Sequence, residues 1–310
     1  MKKIACKCFA PATVANVAVG YDILGFAIDD LGDELIVREG TNPGLKISAV
    51  RGMKSLTKDI MKNTAGFAAY KLMEHLDIID MPIEIELIKN MPVGTGLGSS
   101  AASAVVGAFA INEYLGKPAS EKEVLRCATL AEELADGSFH GDNVAPSLMG
   151  GIILIRDNPS LDVIRLPVIE GLRAVVIYPH IKILTKDSRS VLSDQISLES
   201  HITQSGNLAA FVAALYRMDL DGLQRSLEDV VIEPQRAKLI PHFYDMKEAA
   251  LHHGALGFSI SGAGPSMFAL CANSIIAENI VDSAKQLFAD KGVEITTYNS
   301  LINLQGAKKY

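Results

Sequence analysis

Residues 92–102 read PVGTGLGSSAA, and their types limit what they can hold. Gly94, Gly96 and Gly98 let the backbone turn tightly and let a ligand approach the main chain closely. Ser99 and Ser100 follow, and then Ala101, Ala102, Ser103 and Ala104, small residues that suit a slim, closely packed helix. A helix starting here would aim unpaired N–H groups and about half a positive charge at the loop. That combination suits phosphate groups. Two familiar phosphate loops nevertheless fail to fit. The pattern G-x-G-x-x-G meets Ser99 where its third glycine belongs. The pattern G-x-x-x-x-G-K-[ST] meets Ser99-Ser100 where it needs Gly-Lys. With no lysine in the loop, phosphate charge has to be offset by the helix end, a metal ion or a more distant cation.

The neighbouring elements place this loop between a strand and a helix. IEIELIKN (83–90) alternates apolar and charged residues, the pattern of a half-buried strand. KIACKCFAP, ELIVRE and GLKISAV (44–50) also read as strands. NTAGFAAYKLMEHL (63–76) has helical spacing, with Phe67, Tyr70, Leu72 and Met73 roughly on one side. Ser120 and Glu123 form a capping-box pattern that opens another helix. GGIILI and RAVVIY are strands on either side of a Pro- and Asp-containing segment at 157–168, where the chain is expected to divide into domains 1–165 and 166–310. Helices are predicted at 203–217, 219–230 and 235–253. ALGFSISGAGPSMFALC reads as strand, glycine turn, strand, followed by a helix at 276–290 and a last strand, VEITTYNSL. Strands and helices without strict alternation favour an α+β fold.

Composition narrows the function classes. The chain has 310 residues, 49% of them hydrophobic, enough for two domain-sized cores. A formal net charge of −7 argues against a nucleic-acid surface. A small anionic ligand must therefore be attracted locally. The four cysteines, Cys6, Cys8, Cys127 and Cys271, lack metal-ligand spacing and read as small apolar residues. Free thiols suit a reducing compartment. Lys7 interrupts the apolar part of the opening MKKIACKCFAPATVA, leaving it too short for a signal peptide. No stretch approaches the roughly 18 unbroken apolar residues of a membrane span. The cytoplasm is the expected location.

PVGTGLGSSAA closely resembles the central motif of the GHMP kinases, the superfamily that includes galactokinase and mevalonate kinase. APATVANVAVGYDILGFAID (10–29) resembles the N-terminal motif of that superfamily, and SISGAGPSMFAL (259–270) its C-terminal glycine motif. The resemblance implies the GHMP kinase fold: an N-terminal ATP-binding domain with a left-handed, ribosomal-protein-like βαβ unit, and a C-terminal ferredoxin-like domain. ATP would lie between them. Its triphosphate would rest on Pro92, Val93, Gly94, Thr95, Gly96, Leu97, Gly98, Ser99, Ser100, Ala101 and Ala102, with Gly262 and Gly264 closing beside it. Asn63 and Lys89 are candidates for the nucleotide pocket. Ser100 and Glu132 would hold Mg²⁺ as hard oxygen ligands.

The N-terminal motif also discriminates within the superfamily. Galactokinases and mevalonate kinases carry an early basic residue and a Gly-Glu-His-like end, and PATVANVAVGYDILG has neither. This form, FHGDNVAPSLMGG (139–151), TKDSRSVLS (185–193) and Pro234-Gln235-Arg236 are similar to members that phosphorylate L-homoserine on the route to threonine. That substrate offers a carboxylate, an ammonium and a primary hydroxyl. Arg189 and Arg236 suit the carboxylate, since guanidinium pairs well with it. Asp22 suits the ammonium and Asn16 the hydroxyl, with His140 and Asn143 completing a polar wall. A sugar offers nothing to two arginines. Catalysis is expected to proceed without a dedicated base, through positioning and electrostatic stabilisation. Asn16, Thr185 and Arg189 are the catalytic candidates, Thr185 touching the γ-phosphate and Arg189 neutralising it. The alternatives are a kinase for mevalonate or a diphosphocytidyl polyol, and a non-catalytic metabolite sensor of the same fold. A homodimer is expected from the resemblance.

Overall fold

Strand β1 (Cys6–Ala15) is buried along nearly its whole length, because it lies between two other strands and under helices. It pairs antiparallel with the long β2 (Leu24–Glu39). The computed structural model describes residues 6–137, 139–181, 183 and 185–310, with the backbone alone for Ala135, Asp136, Thr185 and Lys186. After β2 come β3 (Leu45–Arg51), α1 (Thr64–His75) and β4 (Ile83–Ile88). β3 and β4 pair in parallel, so α1 is the crossover of a βαβ unit. Asn63 caps α1 by accepting from the Gly66 N–H. The buried face of α1 is built from Ala65, Gly66, Ala68, Ala69, Leu72 and Met73, while Phe67 and Tyr70 are only partly buried. Leu72 and Met73 of the expected face are thus buried, but small residues rather than Phe67 and Tyr70 complete it, which lets α2 (Ser99–Tyr114) pack closely against it.

Helix α3 (Glu121–Asp136) opens with the expected reciprocal capping box of Ser120 and Glu123. Then follow α4 (Val144–Met149), β5 (Ile152–Asp157) and β6 (Asp162–Leu166). β6 lies within the segment read as a linker and forms a hairpin with β5, at the margin of the first sheet. Its exposed, short DVIRL sequence gave little strand signal.

The second sheet uses β7 (Arg173–Pro179), β8 (Gly257–Ile260), β9 (Met267–Cys271) and β10 (Ile295–Leu301), in the spatial order β10-β7-β9-β8. All its pairings are antiparallel, and the order 4-1-3-2 is the ferredoxin-like arrangement. Between β7 and β8 run α5 (Thr185–Ser190), α6 (Leu198–Arg217), α7 (Leu220–Ser226), α8 (Glu233–Arg236) and α9 (Phe243–His252). α10 (Ser274–Asp290) joins β9 to β10, and β11 (Lys308–Lys309) returns to pair with β1.

Two of the three helices predicted here differ in extent and one is broken. α6 starts earlier than expected because Ser197 caps it. α7 stops at Ser226, and Asp229 gathers the N–H groups of Val231, Ile232 and Glu233 to turn the chain into α8. The helix predicted at 235–253 is interrupted before α9. Pro241 has no N–H to give, and it forces Ile240 into an extended conformation (φ −111°, ψ 110°).

One apolar core fills the space between the two sheets. Val14, Phe26, Ile28 and Leu97 from the first half meet Val176, Phe211 and Phe268 from the second. Phe26 and Phe268 pack edge to face, 5.9 Å between ring centres. Among the described residues no helix is long and apolar enough to cross a membrane.

Candidate active site

Three distant segments meet at one end of this shared core. The first is the turn after β1, where Asn16, Val17 and Ala18 all take left-handed backbone angles (φ 71°, 45° and 59°). Each such residue costs about 1–2 kcal/mol when it is not glycine. The turn persists because its groups are tied elsewhere. Asn16 Nδ2 donates to the Gly262 carbonyl (3.0 Å), and Asn16 Oδ1 accepts from the Asp22 N–H (3.1 Å). The Gly20 N–H closes the turn onto the Asn16 carbonyl (2.8 Å).

The second segment is the glycine loop between β4 and α2. A Cβ on Gly98 (φ +64°) would sit 2.1 Å from Thr13 Oγ1, so only glycine lets the loop reach β1 this closely. Three successive carbonyls of the loop are taken by protein donors. Thr95 accepts from the Ser266 N–H (3.1 Å), Gly96 from Ser261 Oγ (2.6 Å) and Leu97 from the Thr13 N–H (3.1 Å). This turns acceptor oxygens away from a bound anion. Helix α2 has no side-chain cap at its start, and the buried Ser99 Oγ has no partner among the described residues. Unmet donors of this kind fit phosphate. Beside them, Ser100 Oγ donates to Glu132 Oε1 (2.7 Å). A hydroxyl and a carboxylate side by side fit a magnesium ion that keeps phosphate and water as its other ligands.

The third segment is the turn between β8 and β9. The Gly262 carbonyl accepts from both Asn16 and Arg236. Arg236 is buried, with Nε on the Ser188 carbonyl (3.0 Å), Nη1 on Gly262 (2.9 Å) and Nη2 on the Tyr21 hydroxyl (3.2 Å). Its guanidinium also lies over the Tyr21 ring, 4.9 Å from the centroid. Burial pushes the Arg236 pKa down, while Tyr21 and Asp22 pull it back. Asp22 Oδ2 stands 3.5 Å from Arg189 Nη1 and 3.6 Å from His140 Nε2.

A cavity of ≈ 390 Å³ opens among these segments. Asn16, Asp22, Asn63, Lys89, Val93, Gly94, Thr95, Gly96, Gly98, Ser99, Ser100, Glu132, His140, Asn143, Arg189, Arg236 and Gly262 all line it. Other candidates sit elsewhere. Leu97, Ala101 and Ala102 are fully buried in apolar cores and can offer a ligand only their backbone. Pro92 does not line the cavity. Gly264 lies behind it, where a Cβ would face Ile240. The Thr185 side chain lies outside the described residues.

Two candidates line the cavity with their polar groups already engaged. Asn63 spends its amide on capping α1 and on the Thr57 carbonyl (2.8 Å). Lys89 is turned into the protein, where its ammonium meets Asp33, the Ser99 carbonyl and Ser103 Oγ. Burial pushes the Lys89 pKa down, with Asp33 opposing. Sequence reasoning missed Tyr21, Thr13, Ser261 and Asp33. Asp33 carried a legible signal, because it falls in phase with the core-facing Leu35 and Val37.

Residues 62–151 match the GHMP kinases N terminal domain, and residues 211–290 match GHMP kinases C terminal. Homoserine kinase of Chlorobium phaeobacteroides (strain BS1) is 40% identical over 313 residues, covering 97% of this chain and 98% of the relative. The chain belongs to the homoserine kinase family of the GHMP kinases. Homoserine kinase of Xanthomonas campestris pv. campestris (strain B100) is 37% identical, covering 97% of this chain and 93% of its own. The crystal structure of homoserine kinase from Cytophaga hutchinsonii superposes with a TM-score of 0.95 at 46% identity, covering 98% and 97% of the two chains. A mevalonate kinase structure superposes with a TM-score of 0.74 at 14% identity, and so shares the fold alone. The GHMP kinase fold and the kinase class implied by the three motifs are those of this family.

Proposed function

We propose that this chain transfers the γ-phosphoryl group of ATP to the hydroxyl of L-homoserine, giving O-phospho-L-homoserine and ADP, a step toward threonine. One observation carries the reading. A single cavity joins an uncapped helix start behind a glycine loop to the opposite charges of Asp22, Arg189 and Arg236, with His140 beside Asp22. The first end suits a triphosphate, and the second suits a zwitterion with a carboxylate and an ammonium. Division of labour follows the domains 1–165 and 166–310. The first supplies the loop and Asp22, the second supplies both arginines.

The chemistry needs little beyond placement. Asp22 accepts from the substrate ammonium, and Arg236 with Arg189 holds the carboxylate. Asn16 is locked at both ends of its amide, so the remaining hydrogen and lone pair have a fixed direction toward the substrate hydroxyl. His140 and Asn143 complete the wall, Asn143 being held by Thr13 Oγ1 (2.8 Å). Loop N–H groups and the start of α2 stabilise charge on the phosphoryl oxygens. The hydroxyl oxygen bonds to phosphorus as the bond to the β-phosphate oxygen breaks, and the hydroxyl proton passes to the transferred phosphoryl group. No step requires a general base. A magnesium ion held by Ser100 and Glu132 would neutralise part of the triphosphate charge. Arg189 and Thr185 are placed in this scheme at the γ-phosphoryl end. The protein acts in the cytoplasm as a homodimer.

ADP release measured with L-homoserine, mevalonate and galactose tests the acceptor directly. Turnover with L-homoserine alone is the expected result, and turnover with mevalonate instead overturns the assignment. Asp22→Asn should raise the KM for L-homoserine ~10-fold or more, because a charged hydrogen bond to the ammonium is lost. The KM for ATP should stay within about twofold, since Asp22 lies outside the phosphate loop. Equal rises in both constants would remove Asp22 from the amino-acid end.

A further inference from the structure

We propose that the buried Lys89–Asp33 pair is a positioning unit that fixes both ends of the phosphate loop and thereby sets the affinity for ATP. It rests on the reading of residues 92–102 as the triphosphate seat. The Lys89 and Asp33 side chains are only 2% and 0% exposed, and although Lys89 borders the cavity its ammonium is turned into the protein. The three protons of the ammonium have three oxygen partners: Asp33 Oδ2, the Ser99 carbonyl (2.6 Å) and Ser103 Oγ (3.0 Å).

The carboxylate is equally occupied. Asp33 Oδ2 also accepts from Ser103 Oγ (2.7 Å). Asp33 Oδ1 accepts from the N–H groups of Asn90 (3.1 Å) and Met91 (3.2 Å), the residues that lead into the loop. One side chain of β2 therefore grips the entry of the loop. Through Lys89 it also grips Ser99, the first residue of α2 at the exit. The loop between these grips cannot lengthen, tilt or slide without breaking a buried charged contact.

A purely stabilising role predicts something different. Well-packed apolar residues of similar volume often replace a buried ion pair without loss of stability. They cannot hold two backbone N–H groups and a backbone carbonyl. Stability and ATP affinity should therefore separate in a variant that exchanges the whole pair.

The experiment compares the parent protein with Lys89→Met/Asp33→Leu, using calorimetric binding of Mg-ATP, steady-state kinetics and thermal unfolding. The double variant should bind Mg-ATP ~10-fold more weakly or worse, about the value of one hydrogen bond to a charged group. The KM for L-homoserine should change less than about threefold, since that end of the cavity keeps all its contacts. A folded double variant with parental ATP affinity overturns the proposal. So does a variant in which both substrates weaken equally. Should the double variant fail to fold, Ser103→Ala removes one hydroxyl from the cluster and leaves the ion pair. It should weaken Mg-ATP about threefold while the KM for L-homoserine holds, and parental ATP affinity again overturns the proposal. A parent that binds Mg-ATP without phosphorylating L-homoserine would refute the acceptor assignment alone. A parent that does not bind Mg-ATP would overturn both.

Discussion

Arg236→Ala should lower kcat/KM for L-homoserine by ~10²–10³, the usual cost of truncating a buried, hydrogen-bonded charge. The arginine is 3% exposed and tied to Ser188, Gly262 and Tyr21, so its guanidinium is fixed before substrate arrives. Truncation removes the cation, deprives the Ser188 carbonyl and the Tyr21 hydroxyl of their arginine donor, and leaves the Gly262 carbonyl with Asn16 alone. Arg236→Lys should recover less than about a tenth of the loss, because an ammonium cannot span those three partners or stack as a plane on Tyr21. Steady-state kinetics with each substrate varied in turn will separate the effects. A loss confined to the KM for ATP would place the substrate carboxylate elsewhere.

Ser100→Ala should cost ~10²–10³ in kcat, the typical price of one electrostatic stabiliser at a reacting centre. Its hydroxyl is 2.7 Å from Glu132 Oε1, and the variant removes one of two neighbouring oxygens suited to magnesium. Raising the magnesium concentration should recover part of the activity, and a magnesium titration at saturating ATP reads this out. An unchanged kcat would detach Ser100 from the metal. A reduced kcat indifferent to magnesium would give the hydroxyl a direct role on phosphate instead.

Most of the site was legible because its signals are local. Glycines at 94, 96 and 98, the small residues after them and the Ser120–Glu123 cap act within a few residues of themselves. Pro241 was an equally local signal, and it explains the broken helix between α8 and α9. Lys89 carried a second signal in its spacing. In IEIELIKN it shares the odd phase of Ile83, Ile85 and Leu87, the core side of β4, and Asp33 shares the core phase of β2. Two opposite charges on facing core phases announce a buried pair, yet resemblance alone pointed Lys89 at the nucleotide. Tyr21 could not be read in this way. Its partner Arg236 lies 215 residues along the chain, and no periodicity links a phenol to a guanidinium at that distance.

The left-handed turn at Asn16–Ala18 also bears on how the enzyme matures on the ribosome. Asn16 is held by the carbonyl of Gly262, 246 residues later. A nascent chain halted after α3 would already carry the complete glycine loop. It would lack the late carbonyl that secures the turn, and both arginines of the acceptor end. On the proposed reading neither seat is finished before the last third of the protein has emerged: the glycine loop waits for Ser261 and Ser266 to take the Gly96 and Thr95 carbonyls, and the acceptor end waits for Arg236 and Gly262. A half-made chain would hold neither substrate in place, and so could not transfer phosphate between them.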